Sequence, residues 1–528
     1  MSTLIRRVLG FFIFSIILIF NFSCDIGSDS SQIQSESIQK KEFSFNIDSI
    51  NPDKVQTQED EDIQIILPNN EKVEIIEKKI EKRKNGFTFY GYVKDKPDSS
   101  VILTVENGYM YGKLNIGKDS YYIEPINDKS FIIAKHVKGR TPTFEFDVET
   151  LNPKIIGKKS ISKQSFSEIE NGSKIDILVL YTQKMYQKYG NSIQALIQNF
   201  IDITNNSLKK SGVATKLNLV GTKLFLDENV QEDIDINSAL FYIKDSSTVH
   251  SLREQYKADL VSLLRVFDSD IHSYCGLGFI LYNLDNYFPD WQNDIQSVAD
   301  AYKILGYTVV QVRPVTEANP YYCYETTFAH EVGHNLGANH DRDHSTGYGA
   351  FPYSFGHDNP GVFATIMSYD SPLIDYYSNP NLTYLGEKIG VPEGEPNSAD
   401  NVKTFNQTRL IVSNYYYNNE DIKPDIDISE TLIRFSELSV GSQDSKTVII
   451  KNEGNGNLNI KKILLRGINS SEYVMNNNCS SVIYPNQSCN INISFKPSSP
   501  GYKKAIIKIY SNDPDESKTI IKLRGIGR

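Results

Sequence analysis

Three of the chain's eight histidines lie in one short segment, Phe328-Ala-His-Glu-Val-Gly-His-Asn-Leu-Gly-Ala-Asn-His-Asp341. His330 and His334 are four residues apart, so on a helix both imidazoles lie on one face, one turn apart, and can share one ion. Zinc binds neutral imidazole well and prefers tetrahedral coordination. The spacing therefore predicts that both histidines are zinc ligands; a helix that merely carries surface histidines is the alternative.

The neighbouring residues complete a catalytic pattern. Glu331 follows the first histidine and can reach an activated water as a general base without being a ligand. Gly337 permits the backbone reversal that ends the helix, and the turned chain then delivers His340 as the third ligand. Three protein ligands leave a fourth position for water, as in catalytic zinc sites. His344 and His357 are expected to be surface groups or to lie behind the ligands.

A second element follows in Thr365-Ile-Met-Ser-Tyr369. The zinc sequence with a downstream methionine turn resembles the metzincin peptidases. The resemblance implies that Met367 lies in a tight turn beneath the imidazoles as a packing floor. Tyr369 matches the astacin and serralysin branches, where this tyrosine can approach the metal and the oxyanion, whereas snake-venom-type reprolysins generally lack it. A purely structural tyrosine is the alternative.

Other residues are similar to a bacterial reprolysin-like group and to peptidyl-Asp metalloendopeptidases. They are Asp341 after the third ligand, Cys275-Gly-Leu-Gly before the helix, Ala258-Asp-Leu-Val, and Tyr377-Ser-Asn-Pro380 after the methionine. The resemblance covers about residues 173 to 415. It implies an α/β metzincin catalytic domain with one catalytic Zn²⁺ and a protein or peptide substrate.

The elements that must position these residues can be read from hydrophobic periodicity. Buried strands are expected at Ile175–Tyr181, Leu217–Phe225 and Ala258–Leu264, with helices over 185–203 and, more weakly, 239–256. Strands alternating with helices indicate an α/β layer domain. We assign it residues 173–417, ending in a probable helix from Ser398.

The preceding residues, 46–150, read as short β-prone runs. Asn107-Gly108 and Gly117-Lys118 are hairpin turn signals between them. The runs Phe89-Tyr-Gly-Tyr-Val and Ser100-Val-Ile-Leu-Thr resemble the β-rich pro-domain of such peptidases. Residues 151–172, rich in Ser, Lys and Gly, are predicted to be a linker.

Inhibition by a pro-domain cysteine is excluded, because no cysteine lies between Cys24 and Cys275. If the N-terminal domain inhibits, it does so sterically or with a carboxylate such as Asp147 or Glu149.

The C-terminal hundred residues return to β-type patterns. Residues 418–427 are polar and contain a proline, so we assign them as a linker. Residues 428–528 carry strands at sandwich-like intervals, which predicts an Ig-like β-sandwich. Val448-Ile-Ile-Lys-Asn-Glu-Gly454 and Phe495-Lys-Pro497 resemble modules of the ASPM/Hydin kind.

The N-terminus predicts export. Two arginines precede the apolar run Val8 to Phe22, which is short for a membrane span, so residues 1–24 read as a signal peptide. The segment Asn21-Phe22-Ser23-Cys24 resembles a bacterial lipobox, although Asn21 stands where leucine is usual. Cys24 would then carry the lipid and residues 25–45 would be a polar tether; ordinary secretion is the alternative.

Cysteine parity fits this interpretation. Without Cys24, four of the five cysteines remain, and four allow three pairings. Cys275–Cys323 with Cys479–Cys489 keeps each bridge within one predicted domain, so we favour it, and export permits both bonds.

Composition narrows the functional classes. A formal net charge of −10 argues against a nucleic-acid-binding surface. The predicted protein is a multidomain zinc endopeptidase, secreted or held at the outer surface or in the periplasm by a lipid, which would be its one link to a membrane. A surface adhesin with a vestigial protease domain, and a zinc hydrolase of a non-peptide bond, are the alternatives.

Overall fold

The computed structural model describes most of the chain after its first 38 residues. The described ranges are 39–52, 63–127, 129–136, 148–149, 172–268, 271–272, 274–313, 323, 325–345, 347–369, 372–416 and 423–528. The predicted signal peptide with Cys24 lies outside them, as does nearly all of the predicted linker 151–172. Within these ranges, no helix has the length and apolar character needed to cross a bilayer.

Residues 39–136 form an antiparallel sheet, here called the N-terminal sheet. Its strands are β1 (Lys40–Ser44), β2 (Ile63–Ile66), β3 (Lys72–Lys82), β4 (Gly86–Val93), β5 (Lys96–Glu106), β6 (Tyr109–Ile116), β7 (Asp119–Pro125) and β8 (Ser130–Lys135). Their spatial order is β1-β8-β7-β6-β5-β4-β3-β2, so β2 to β8 follow one another as hairpins. Asn107 and Gly108 have φ of +51° and +83°, as the expected Asn-Gly turn requires.

The first strand starts inside the segment that the sequence assigns to the polar tether. Phe43 is buried against Phe131, with ring centroids 5.8 Å apart, which fixes β1 on β8. Both faces of the sheet are covered along β5. Leu103 lies in the sheet's own core, whereas Ile102, pointing to the other face, lies in the core of the next domain.

Residues 172–416 form an α/β layer, here called the central domain. Its strands are β10 (Lys174–Tyr181), β11 (Lys216–Leu224), β12 (Leu260–Val266), β13 (Gly276–Phe279) and β14 (Tyr307–Val312), and a short strand β9 (Val148–Glu149) joins its edge. The order is β11-β10-β12-β14-β13-β9. β10, β11, β12 and β14 run parallel, whereas β13 is antiparallel to β14.

Helices cover this sheet, and two small antiparallel pairs lie beyond it. The helices are α1 (Gln183–Tyr189), α2 (Ile193–Ser211), α3 (Ile236–Asp245), α4 (Ser247–Tyr256), α5 (Leu284–Tyr287), α6 (Ile295–Tyr302), α7 (Thr327–Asn335) and α8 (Asn401–Val412). The pairs are β15 (Asp358–Asn359) with β16 (Phe363–Ala364) and β17 (Asn379–Tyr384) with β18 (Glu387–Ile389).

Residues 423–528 form an Ig-like β-sandwich, here called the C-terminal sandwich. Its strands are β19 (Ile426–Ile428), β20 (Leu432–Leu438), β21 (Asp444–Asn452), β22 (Leu458–Asn459), β23 (Lys462–Arg466), β24 (Tyr473–Asn477), β25 (Val482–Ile483), β26 (Ser488–Phe495), β27 (Gly501–Tyr510) and β28 (Lys518–Gly527). The sheets β19-β21-β26-β24 and β20-β28-β27-β23 enclose an apolar core that includes Ile491 and Leu523. A disulfide joins Cys479 to Cys489.

Candidate active site

Helix α7 carries the first two predicted ligands. Its apolar residues Phe328 and Val332 are buried in the central core. The helix ends in a left-handed turn at Gly337, where φ is +95°. The amide of Gly337 donates to the carbonyl of His334 (2.8 Å) and that of Ala338 to Gly333 (2.9 Å), which is a Schellman motif. The turn redirects the chain so that His340 returns to the helix.

The structure brings the three predicted ligands together. Nε2 of His340 lies 3.1 Å from Nε2 of His330 and 3.1 Å from Nε2 of His334. Among the described residues they form the one group of three or more His, Cys, Asp or Glu that could hold a metal ion. Three ring nitrogens facing one point at such distances repel each other unless a cation lies between them.

Protonation of the imidazoles also fits a metal site. Nδ1 of His330 donates to the carbonyl of Ile366 (2.7 Å) and Nδ1 of His334 to that of Ala338 (2.8 Å), so the Nε2 lone pairs remain available. Burial lowers the pKa of His330 to about 4 and the pKa values of His334 and His340 well below the ordinary range. Neutral imidazoles are the form that zinc binds, so the donor set suits Zn²⁺.

Glu331 is buried beside this group, with 3% of its surface exposed. Its carboxylate lies against β13, at two glycines that have no side chain. A methyl group at Gly276 would overlap Oε1 of Glu331, and one at Gly278 would lie 3.2 Å from Oε2. The two glycines of β13 therefore leave the space that the carboxylate occupies. Sequence reasoning identified Cys275-Gly-Leu-Gly only as a family resemblance and missed this contact.

The contact gives a first prediction. Gly276→Ala should lower kcat for the proposed reaction by about 10- to 100-fold, because the added methyl group displaces the Glu331 carboxylate from its position. Bound zinc should be unchanged, since the three histidines are untouched. Steady-state kinetics with metal analysis checks this, and Gly347→Ala, where an added methyl group meets nothing within 4 Å, is the control. Unchanged kcat in Gly276→Ala would show that β13 does not position Glu331.

Met367 lies directly under the helix and is fully buried. A methyl group at Gly333 would lie 2.5 Å from its sulfur, so the absence of a side chain at Gly333 lets the methionine approach. Below it, the hydroxyl of Tyr377 donates to the carbonyl of Ala329 (2.8 Å). The structure thus places Met367 against the helix, and its role as a packing floor stays a prediction; Gly333, between the two histidines of the helix, was not assigned a role from sequence.

Tyr369 reaches the histidine group. Its hydroxyl lies 2.9 Å from Nε2 of His340, and its amide donates to Oδ2 of Asp341 (3.1 Å). The other oxygen of Asp341 accepts from Nδ1 of His344 (2.7 Å), whose ring stands edge-on to Tyr369 at 5.3 Å. His344 is thus an exposed residue that bonds to Asp341, the neighbour of His340. His357 packs near Phe363 and is not part of the three-histidine group.

Three further supports of the site come from outside the motif. A disulfide between Cys275 and Cys323 ties β13 to the segment before α7, so both predicted disulfides are present. Glu325, just before α7, accepts from Nε2 of His136 (2.6 Å), a residue that follows the N-terminal sheet. Asp375, after the methionine turn, accepts from Nζ of Lys113 in β6 (2.7 Å).

The carboxylates suggested as inhibitory groups remain predictions. Asp147 lies outside the described residues, and of Glu149 only the backbone is described. That backbone belongs to β9, which pairs in parallel with β13 so that Gly278 faces Val148. Residues 148–149, which precede the central domain, therefore cover the outer edge of β13, the strand against which the Glu331 carboxylate lies.

Two protein families match the chain. Residues 171–385 match metallo-peptidase family M12 (Reprolysin_5), and residues 423–528 match Cep192 domain 4. The M12 match contains the whole three-histidine group. The second match coincides with the C-terminal sandwich.

Several curated proteins are similar to about half of this chain or more. A peptidyl-Asp metalloendopeptidase of Pseudomonas aeruginosa is 29% identical over 46% of this chain and 40% of its own length. A peptidyl-Asp metalloendopeptidase of Stenotrophomonas maltophilia is 26% identical over 61% and 71%. A zinc metalloproteinase-disintegrin-like protein (BfMP) of Bungarus fasciatus is 22% identical over 50% and 42%. The match to the Pseudomonas aeruginosa protein thus covers less than half of that protein's length.

Proposed function

We propose that this chain, whose residues 171–385 are a metallopeptidase domain of family M12, is a zinc-dependent endopeptidase that hydrolyses peptide bonds of proteins. The observation that carries the proposal is the convergence of three neutral imidazoles beside a buried carboxylate, Glu331. His330, His334 and His340 would hold one zinc ion. The chemistry that zinc supplies in such a site is Lewis-acid activation of water and of the scissile carbonyl.

The chain's own groups then have distinct tasks. Glu331 would accept the proton of the attacking water and pass it to the leaving amine, as a general base and then a general acid. The hydroxyl of Tyr369, within reach of the ligand nitrogens, would donate a hydrogen bond to the oxyanion. Met367 would pack beneath the imidazoles and support them. Gly276 and Gly278 would leave room for the Glu331 carboxylate.

The edge of β13 is the proposed place of the substrate backbone. An extended peptide can pair with an exposed sheet edge through main-chain hydrogen bonds, which holds the scissile bond beside the catalytic groups. In the structure β9 pairs with this edge. We therefore propose that residues 148–149 must leave β13 before a protein substrate can bind in full. The segment 137–171, which connects the N-terminal sheet to the central domain, would then be the inhibitory part of the N-terminal region.

Tyr369 gives a second prediction. Tyr369→Phe should lower kcat by about 10²-fold with little change in KM, because the hydrogen bond to the oxyanion forms only in the transition state. Steady-state kinetics on a cleaved peptide separates the two constants. Tyr348→Phe, an exposed tyrosine close by in the sequence, is the matched control. A change in KM alone would instead make Tyr369 a substrate-positioning or structural residue.

The test of the proposed function uses the purified chain without residues 1–24 and a mixed peptide library. Cleavage should be abolished by a zinc chelator and restored by zinc, and circular dichroism should show that the chelated protein stays folded. The cleaved bonds also show whether the chain shares the aspartate preference that its relatives are named for. Zinc binding without cleavage of any peptide would contradict an endopeptidase and would favour the ester or amide hydrolase or the adhesin.

We further propose that the chain is exported and anchored through a lipid on Cys24. The support is the n-region, apolar run and lipobox-like segment in the sequence. Cys24→Ala should move the protein from the membrane fraction to the soluble exported fraction and abolish fatty-acid labelling. Labelling that survives the substitution would overturn the anchor, and an unlabelled wild type would favour ordinary secretion.

A further inference from the structure

We propose that the N-terminal sheet is a permanent part of the protein, which stays bound to the central domain after the connecting segment 137–171 is cut. This differs from the removable pro-domain that the family resemblance implies for residues 46–150. The proposal rests on contacts of the described residues and does not depend on peptidase activity. It makes cleavage of the connecting segment, and not loss of the whole domain, the step that frees the edge of β13.

The first support is a shared apolar core. Ile102, Tyr111 and Tyr122, on β5, β6 and β7, are each 2% exposed and belong to the same buried cluster as the central domain. A cavity at this contact, lined by Tyr122 and Phe200 of α2 among others, has a volume of about 20 Å³. At this place the gap between the two surfaces has room for about one water molecule.

The second support is a buried carboxylate in the middle of α2. Asp202 is 3% exposed and accepts from Thr88 (2.5 Å) and Thr104 (2.7 Å), both on the N-terminal sheet. Asn199, one turn earlier, donates to the hydroxyl of Thr104 (2.9 Å). Guanidinium Nη1 of Arg83 lies 3.6 Å from the carboxylate. The buried carboxylate of α2 thus finds hydrogen-bond donors on the sheet, as buried polar groups require.

The third support lies beside the catalytic elements. Lys113 projects from β6 to Asp375 (2.7 Å), and its Nζ lies 3.9 Å from Glu325. Asn115 donates a second hydrogen bond to Asp375 (2.5 Å). The side chains of Lys113, Asp375 and Glu325 are each 5% exposed or less. Removing the sheet would take Lys113 from both carboxylates and leave Asp375 with the more distant Lys210 of α2, 3.9 Å away, as its cation, which is costly for groups that pack in the interior.

The fourth support is that the C-terminal sandwich binds both other parts. Asp427 of β19 forms ion pairs with Lys79 of the N-terminal sheet and with Lys209 of α2. The backbone continues this contact, since the amide of Thr431 donates to the carbonyl of Lys78 (3.0 Å) and the amide of Ile80 to the hydroxyl of Thr431 (3.1 Å). The sandwich therefore bridges the sheet and the central domain and restrains their separation.

The position of the N-terminal sheet explains why it need not dissociate from the central domain before a substrate binds. It packs on α2, and α2 contacts α7 through Phe200 and Phe328, whose rings stack at 6.0 Å. Phe328 precedes His330 by two residues, and at 100° per residue the two side chains point to nearly opposite sides of α7. The sheet thus lies behind the metal-binding helix. The short strand β9, which also precedes the central domain, pairs with β13 beside the Glu331 carboxylate.

The experiment is a controlled cut in the folded chain. A recognition sequence for a site-specific protease is inserted within residues 150–171 of the Glu331→Gln chain, which prevents self-digestion, and the purified protein is cut to completion. At micromolar concentration we expect two fragments on a denaturing gel and one species of unchanged mass in size-exclusion chromatography with light scattering. An N-terminal fragment that elutes separately would overturn the proposal.

A variant pair tests which contact holds the fragments. In the cut chain, Lys113→Ala should raise the apparent dissociation constant of the N-terminal fragment by about 100-fold, because Asp375 loses the nearer of its two cations and keeps only Lys210, 3.9 Å away. Lys135→Ala removes the same charge from a solvent-exposed pair with Asp119 inside the sheet and should leave association unchanged. Equal dissociation constants for the two variants would refute the assigned role of Lys113.

Discussion

Replacing Glu331 by glutamine should lower kcat for peptide cleavage by about 10³-fold and leave the zinc content at that of the wild type. Glutamine keeps the shape of the side chain and fits the space above Gly276, but it has no carboxylate to accept a proton from water. Zinc should remain because the metal group consists of His330, His334 and His340 without Glu331.

The measurement combines single-turnover kinetics with elemental analysis of the same samples. Asp343→Asn is the matched control, since it removes the same charge from an exposed residue close to His340. Loss of zinc together with activity in Glu331→Gln would mean that Glu331 supports the metal site, and retained activity would remove it from the mechanism. If kcat of the wild type falls at low pH and kcat of Glu331→Gln does not, the group that titrates is Glu331, as expected for the general base.

The three-histidine group could be predicted because residues close to one another in the sequence determine its geometry. His330 and His334 share one helix face, and Gly337 turns the chain so that His340 arrives only six residues later. A few residues and one turn type decide the whole arrangement. The position of Met367 beneath the imidazoles was predicted only through family resemblance, because nothing in its spacing from the histidines places it there, and its contact with Gly333 was not predicted.

Other features depend on contacts between distant parts of the chain. Asp375 pairs with Lys113, 262 residues away, and Glu331 lies against Gly276 of another element. Periodicity carries no information about such partners, so the supporting ion pairs and the β13 glycines were missed. It also placed the N-terminal sheet correctly as β-rich without showing that its second face is buried on α2.

Two helices that the apolar pattern predicts as continuous are each divided in two in the structure. The apolar pattern over 185–203 predicts one helix, but Gly190 adopts φ of +51° and separates α1 from α2. The weaker helix expected over 239–256 is likewise divided at Ser246, whose hydroxyl caps the amide of Val249 and starts α4. The apolar residues on both sides of each break face the core. The helical period of apolar residues therefore continues in the sequence although the helix is interrupted.

Lys113→Met is expected to destabilise the protein by about 3–5 kcal/mol, because it removes one partner of a buried ion pair and leaves the other charged. The side chains of Lys113 and Asp375 are only 5% and 4% exposed, so water cannot replace the lost cation. Urea unfolding followed by the fluorescence of Trp291, the chain's single tryptophan, reports on the central domain directly. Lys135→Met, at an exposed pair, should change the free energy of unfolding by less than about 1 kcal/mol.

The pH dependence of stability supplies an independent check on the same pair. Burial alone would raise the pKa of Asp375, but the charges of Lys113 and Lys210 and the hydrogen bond from Asn115 lower it to about 2. Because the folded pKa lies below the unfolded value of about 3.9, the carboxylate contributes stability that is present above that value and is lost as the pH falls towards 2. Glu325 faces the same lysine and its pKa is also lowered, so both carboxylates act in the same direction.

A double variant separates the pair from general packing. In Lys113→Met with Asp375→Asn, no buried charge of the pair remains unpaired, so most of the lost stability should return and the acid limb between about pH 4 and pH 2 should flatten. If the double variant is as unstable as Lys113→Met alone, the lysine acts through its packing and not through its charge. The N-terminal sheet would then be held by its apolar contacts with α2, and electrostatics would contribute little to joining the domains.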